Sequence, residues 1–346
     1  MDKRRQLEGQ QEGQLVKRAR HADGDRGARN GQLTTGSLPR TSSLRAPIIE
    51  LKGHTADVYA ARFDTGGQNL ASASGDRAIC LWQTFGNNEN YGVLSGSKGA
   101  VLDVHWSRDS QRLFSACADA TISSWDVESG TRIKRLRGHT SVVNSIDVLK
   151  WGSETIASAC DDRSIGMWDA RQKSAIEFLD DPYPVTSVAF DDVGSKLFSA
   201  GIEGKIKMWD LRKMQVVQQL EGHTDIVTSL SLSPNGQLLL SNAMDSTVRT
   251  WDVRPFAAED RQLAMYTGAP AGLEKNLIRA SWNADSSRIA AGSGDHTVVV
   301  WDVDSAKILY KLPGHKGCVT DVRFHPEEPI ILSSSCDRGL IMGEIR

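Results

Sequence analysis

Residues 138–169 read GHTSVVNSIDVLKWGSETIASACDDRSIGMWD. A Gly-His pair opens the stretch at Gly138-His139 and a Trp-Asp pair closes it at Trp168-Asp169. Between them lie two short alternating apolar runs, with Ser158 inside the second and Asp162 in the turn that follows. The pattern recurs along the chain. An acid stands six places before the slot of the closing Trp at Asp76, Asp119, Asp162, Glu203, Asp245, Asp295 and Asp337. The slots hold Trp82, Trp125, Trp168, Trp209, Trp251, Trp301 and, as the exception, Gly343. Successive slots lie 43, 43, 41, 42, 50 and 42 residues apart. A period of about 40–45 residues with a Gly-His start and a Trp-Asp end marks the four-stranded blades of an all-β propeller.

The two ends of the pattern fix the number of blades. The last unit stops after its third strand, near Leu340 to Ile345, so it lacks a fourth. Ahead of the first Gly-His lies a spare strand-like run, Pro47-Ile48-Ile49-Glu50-Leu51. Pairing that run with the short unit closes the ring and removes its exposed sheet edges. The expectation is a seven-bladed propeller over residues 46–346, closed by an N-terminal strand, behind a tail of residues 1–45. That tail is rich in Gly, Gln, Arg and Ser, without apolar periodicity, and reads as disordered and basic. Its Lys17-Arg18-Ala19-Arg20 run has the composition of a nuclear-import signal or of a solubilising arm.

Four polar positions recur together in three units. They are His54, Ser72, Asp76 and Trp82; His139, Ser158, Asp162 and Trp168; and His223, Ser241, Asp245 and Trp251. A Ser, a His and an Asp invite comparison with a hydrolase triad, but catalysis needs one such site beside an oxyanion hole, not a set repeated around a ring. A buried hydrogen-bond network within each blade is the better account. Units two, four and six carry Ser97, Asp181 and Leu273 where the His belongs, and packing is expected to carry more of the load there. Trp106, Trp151 and Trp282, outside the repeated slots, are read as core or inter-blade packing.

Charge and composition exclude several functions. The tail carries ten Lys and Arg against five Asp and Glu, which leaves 31 basic and 38 acidic residues on the ring. A mildly acidic ring does not offer a broad phosphate-binding stripe. No glycine-rich phosphate loop, HExxH or clustered metal ligand appears, so no cofactor, metal or small-molecule substrate is expected, and no enzymatic role. No apolar run approaches the length of a membrane span. The five cysteines form no CxxC pair and read as small buried apolar residues in a reducing compartment, with Cys117, Cys160 and Cys336 near the ends of second strands.

The repeat identifies the chain as a member of the WD-repeat family across residues 47–346. Within that family it resembles the WD-repeat subunits of the spliceosomal U5 small nuclear ribonucleoprotein. The finer likeness rests on Ala46-Pro47-Ile48-Ile49, on Leu240-Ser241-Asn242-Ala243-Met244-Asp245 and on Trp251-Asp252-Val253-Arg254-Pro255-Phe256-Ala257. Glu274-Lys275-Asn276-Leu277, the run Ile308 to His315 and the ending Met342-Gly343-Glu344-Ile345 add to it. What the resemblance implies is a non-enzymatic nuclear scaffold in pre-mRNA splicing, docked on the large central U5 protein beside other spliceosome subunits. U5 RNA and pre-mRNA would be met mostly indirectly.

A second function comes from another motif. Trp-Asp-x-Arg boxes end at Arg171, Arg212 and Arg254. In some WD-repeat proteins such a box docks on the adaptor of cullin-four ubiquitin ligases, which would make the ring a substrate receptor. The same arginine can instead pair with Asp in its own blade. For a partner surface, the family resemblance points to the places five residues after each Gly-His histidine: Tyr59, Leu102, Asn144, Thr186, Thr228, Ile278 and Thr320. Tyr59 is the aromatic member of that set, and aromatic side chains with a polar tip are favoured at interfaces. Phe256, after a Pro in the 50-residue interval, is expected on a protruding loop.

Overall fold

The structure, a computed structural model, describes residues 40–258 and 260–345. Its twenty-eight strands form seven four-stranded antiparallel sheets, the seven-bladed propeller expected from the repeat. Blade 1 runs outward from the channel as Val58–Phe63, Asn69–Ser74, Ile79–Gln83 and Asn90–Leu94, here strands a to d. Blades 2 to 6 repeat this order from strands a at Val101–Trp106, Val143–Val148, Val185–Phe190, Val227–Leu232 and Ala280–Trp282. Alternating apolar residues of each blade meet those of the next, so the buried clusters span neighbouring blades and form a continuous ring.

Blade 7 is composite. Val319–Phe324, Ile330–Ser335 and Gly339–Glu344 supply its first three strands, and Ile48–Lys52 supplies the fourth. The closing pair is antiparallel, with Ile49 opposite Met342 and Leu51 opposite Leu340. Gly343, in the slot that holds Trp elsewhere, pairs with Ile48 on this closing strand. The docked segment begins upstream of the expected boundary at residue 46. Arg40 Nε meets Glu344 at 2.9 Å, the N–H of Ser43 donates to Glu328 at 2.7 Å, and Leu44 is buried with Leu51, Leu70 and Leu340. The rest of the expected tail, including Lys17 to Arg20, lies outside the described residues.

The repeated polar residues meet as networks. In blade 3 the Trp168 indole N–H donates to Ser158 Oγ at 2.8 Å. Ser158 Oγ lies 2.7 Å from His139 Nε2, and His139 Nδ1 lies 2.9 Å from Asp162. Blades 1 and 5 repeat the arrangement with His54, Ser72, Asp76 and Trp82 and with His223, Ser241, Asp245 and Trp251. Blade 7 keeps His315, Ser333 and Asp337 without the indole. One proton order satisfies the chain: the indole donates to Ser, Ser to a neutral His, and the His Nδ1–H to the carboxylate. Burial pushes His139 and His223 below the ordinary 6.5 despite their Asp partners. Burial alone would raise Asp162, but Ser164, the Thr140 N–H and His139 outweigh it and hold it at about 2.

Blades lacking the His are not left to packing alone. In blade 4 Lys207, buried, bridges Asp181 at 2.8 Å and Glu203 at 2.8 Å, so a cation stands in for the imidazole between two acids. In blade 2 the Arg135 guanidinium and the Thr121 hydroxyl hold Asp119. Blade 6 has Ala291 in place of Ser, and Trp301 turns its N–H to the Thr267 carbonyl at 3.0 Å. Trp106 and Trp282 are buried and donate to the neighbouring blade's Arg62 and Ser231 carbonyls, each at 3.0 Å. Trp151 departs from its expected packing role: it is 64% exposed in a turn, with Arg108 over its ring at 5.5 Å.

Three outcomes follow for stability. Relative to a chain starting at Arg40, deletion through Lys52 removes strand d of blade 7 and exposes an edge, so the melting temperature should drop. Trp168→Ala should cost about 3–5 kcal/mol and Ser158→Ala about 1–2 kcal/mol in denaturant titrations, the former removing a fully buried indole as well as a hydrogen bond. With pH the sign is set by the depressed histidines: the fold favours their neutral form. Stability is therefore full above the ordinary 6.5 and falls as pH drops through their lowered values. Asp162 adds a further loss from the ordinary 3.8 toward about 2. Melting curves at stepped pH read both phases.

Candidate docking site at the channel mouth

The residues five places after each His occupy a special backbone position. In blades 1 to 5 and 7 the pairing of strands a and b skips one residue, between Val58 and Ala60 in blade 1 and at equivalent points elsewhere. The skipped residues are Tyr59, Leu102, Asn144, Thr186, Thr228 and Thr320. Each is the extra residue of a β-bulge, a device that re-aims a side chain out of the ladder. Here the bulges turn one side chain of each of these six blades out of the ladder, toward the next blade or the channel. The sequence shows their spacing but not the bulge, because the apolar alternation on either side continues almost unbroken.

Four of these side chains are consumed in joining blades. Asn144 donates to the Val185 carbonyl at 3.1 Å, Thr228 to Ile278 at 2.7 Å, and Thr320 to Val58 at 2.6 Å. Thr186 donates to Val227 in the same way. Blade 6 has no bulge, and its Ile278 is buried. That leaves Tyr59 and Leu102. Together with Leu277, Lys275 and Asn276 they wall a cavity of about 220 Å³ at the Gly-His end of the channel. Tyr59 is half-buried beside Gly75, where an added Cβ would sit 3.4 Å from its ring. Burial and the nearby Asp57 push its phenol up, so it stays a neutral donor at physiological pH.

The floor of this cavity is a residue that repeat spacing did not single out. Arg279, buried just before strand a of blade 6, reaches across the channel to Asp103 of blade 2. It also donates to the carbonyls of Leu102 at 3.0 Å and Asn144 at 3.4 Å. Burial alone would raise Asp103, but Arg279 and Arg62 outweigh it and bring it to about 2. Asp103 also accepts from Ser145 at 3.0 Å and from the Ile146 N–H at 3.0 Å. Asp321 accepts from the Ala61 N–H at 3.2 Å and meets Arg323 at 3.1 Å. Arg279 thus spans the channel like a spoke. Below it a polar cavity of about 130 Å³ is lined by Arg62, His105, Asp147 and Arg323. The signal available in sequence was an Arg where the aligned positions hold Ala60, Asp103, Ser145, Ser187, Ser229 and Asp321.

The other candidates lie elsewhere. Strands a and c run from the Gly-His face to the opposite face, so the turns after each Trp-Asp pair, with Phe256, are at the far end of the ring from Tyr59. Phe256 is 100% exposed. Its loop is pinned at the base by Arg261, which donates to the carbonyls of Asp252 at 3.1 Å and Arg254 at 2.8 Å. Of the three Trp-Asp-x-Arg boxes, Arg254 is clamped on its own Asp252, with Nε at 3.0 Å from both carboxylate oxygens. Arg171 and Arg212 extend exposed side chains, while their N–H groups donate to Asp169 at 2.8 Å and Asp210 at 2.9 Å.

Removing the spoke tests its role. Arg279→Met leaves Asp103 and Asp321 buried without their cross-channel cation and should cost about 3–5 kcal/mol in chemical denaturation. A loss under about 1 kcal/mol would mean the neighbouring Arg62 and Arg323 suffice.

Comparison with known proteins accords with this architecture. The family model described as WD domain, G-beta repeat matches seven times, at residues 45–83, 88–126, 130–169, 176–210, 214–252, 274–302 and 306–342. Pre-mRNA-splicing factor cwf17 of Schizosaccharomyces pombe is 46% identical over 346 residues, covering 100% of both chains. The U5 small nuclear ribonucleoprotein 40 kDa protein of Homo sapiens is 48% identical over 96% of each chain. Its namesake in Dictyostelium discoideum is 43% identical over 89% of this chain and 87% of its own. With seven matched repeats and full-length relatives at this identity, the chain belongs to the WD-repeat family, in the group of the U5 small nuclear ribonucleoprotein 40 kDa proteins and cwf17.

Proposed function

We propose that this chain is a non-enzymatic scaffold of the U5 small nuclear ribonucleoprotein, acting in the nucleus in pre-mRNA splicing and docking on the large central U5 protein. The observation that carries the reading is 46% identity to a pre-mRNA-splicing factor over 100% of both chains. That comparison spans the whole of both chains, not the repeated units alone. The ring's excess of acidic residues fits a role in which proteins are met directly and RNA through them.

Tyr59 and Phe256 are the docking residues of this proposal, and they serve different contacts. Tyr59 offers a phenol at the rim of a partly apolar cup that accepts one inserted side chain. Phe256 offers a whole exposed ring on the opposite face. A scaffold held between two partners, or wrapped by one long segment, uses both. The tetrads keep the blades in register beneath these contacts and have no chemical part in them.

Affinity purification of the tagged protein from nuclear extract tests the assignment. U5 RNA and spliceosomal proteins should co-purify. Recovery of a cullin-four adaptor without them would favour the ligase reading through Arg171 and Arg212. Tyr59→Ala and Phe256→Ala should each weaken retention of the complex by about 1–3 kcal/mol with the melting temperature unchanged. Equal retention by both variants would rule out these two residues as the docking points.

A further inference from the structure

The five cysteines, all free, fall into two kinds. Cys80, Cys117, Cys160 and Cys318 are all buried and Cys336 is partly exposed, but burial pushes only the first three thiols up without a thiol neighbour, to about 11 for Cys80 and about 12 for Cys160. Such thiols are poor nucleophiles at neutral pH. Cys318 and Cys336 stand apart in place as well as environment. Cys117 and Cys160 close their second strands, as the repeat leads one to expect, whereas Cys336 falls one residue beyond the end of Ile330–Ser335. The blade 7 pairing ends with Val319 opposite Ser335, so Cys318 and Cys336 face each other across the next position. The Cys336 N–H donates to the Cys318 carbonyl at 3.0 Å, which makes the two residues direct cross-strand neighbours.

The blade repeat does not call for thiols at this position. The same cross-strand pair is Asp57 and Gly75 in blade 1 and Ala100 and Ala118 in blade 2. The surroundings of the pair suit thiol chemistry. The Asn276 side-chain amide donates to Cys336 Sγ at 3.4 Å. Cys318 forms part of the wall of an open pocket of about 320 Å³ between the Pro270–Glu274 loop and Gly294-Asp295. Cys336 is partly exposed. The neighbouring Cys336 thiol brings the Cys318 thiol down to about 7 against the effect of its burial, and Cys336 is pushed up, so Cys318 ionises before Cys336.

We propose that Cys318 and Cys336 form a redox-modifiable pair that closes to an intrachain disulfide by exchange with a small disulfide of the glutathione class. The Cys318 thiolate attacks one sulfur of oxidised glutathione, the glutathione S–S bond breaks, and one glutathione thiolate leaves. Cys336 gives up its proton to solvent, and its sulfur attacks the Cys318 sulfur of the mixed disulfide and displaces the second glutathione thiolate. The protein pair loses two electrons, and oxidised glutathione is reduced to two molecules of glutathione. The new bond ties the start of strand a to the end of strand b at the channel-mouth face, next to Asn276.

The test uses the full-length protein equilibrated across graded ratios of reduced to oxidised glutathione. Samples are quenched in acid, alkylated under denaturing conditions, digested and weighed. Cys318 and Cys336 should lose alkylation together in one transition, in a linked peptide lighter by two hydrogens, while Cys80, Cys117 and Cys160 remain fully alkylated. Cys336→Ser should instead trap glutathione on Cys318. The proposal fails if both residues stay alkylated across the range, if the wild-type protein retains glutathione on either one, or if Cys80, Cys117 and Cys160 oxidise at the same ratio. Because the wild-type measurement needs no substitution, it decides the matter even if the variant fails to fold.

Discussion

The pairing of Ile48–Lys52 with Gly339–Glu344 is the constraint on which everything else in this ring depends. Six blades are contiguous in sequence and draw their strands from one stretch of chain. Blade 7 borrows its outer strand from the opposite end, so closing it joins residues nearly three hundred positions apart. Without that strand, Gly339–Glu344 is an open edge and the apolar faces of Leu340 and Met342 lose Leu51 and Leu44. The cost of bringing distant ends together grows only slowly with loop length, whereas an exposed edge is a standing liability. Arg40, Ser43 and Leu44 extend the same closure upstream, which is why the docked chain starts before the strand itself.

Closure sets up a second level of order inside the channel. The bulge in strand a of six blades frees one side chain each, and four of those side chains are spent on the next blade's backbone. Acidic and hydroxyl side chains two positions deeper from the start of strand a, Asp103, Ser187, Ser229 and Asp321, accept N–H groups of the following blade. Arg279 then spans the channel and neutralises the two buried acids among them. Adjacent blades are thus held by directional bonds as well as by apolar packing. A buried charge of this kind is costly to leave unpaired, and the network satisfies it from several blades at once. Tyr59 and Leu102 are free to line a cavity because the stitching is complete without them.

Much of this was legible in the sequence because it is periodic. The Trp spacing gave the blade count, and the missing fourth strand together with the spare run at Pro47 to Leu51 gave the closure. The tetrads were readable because His, Ser, Asp and Trp recur at fixed offsets. What was not legible is what breaks the period. Lys207 bridging Asp181 and Glu203 replaces an imidazole with a cation, and no repeat template anticipates that pairing. Arg279 acts across the channel, between blades far apart in sequence, so local pattern carries no trace of its partners. Cys336 looked like the strand-end cysteines because its offset from theirs is a single residue, and in a β-ladder one residue changes which face a side chain meets. Trp151 sat outside every slot, and only the fold shows its ring in an exposed turn.

Strand polarity places the Gly-His loops, Tyr59 and the cysteine pair at one end, and the Trp-Asp turns with Phe256 at the other. Between them Arg279 crosses the channel to Asp103 and lines a cavity on either side. Contacts made at the two ends are joined through the blades themselves. Those are stiffened by the buried tetrads and by the cross-blade bonds, and stiff, close-packed elements transmit displacement poorly unless they have a second arrangement available. A ring built this way is a stiff body whose two faces stay at a fixed separation.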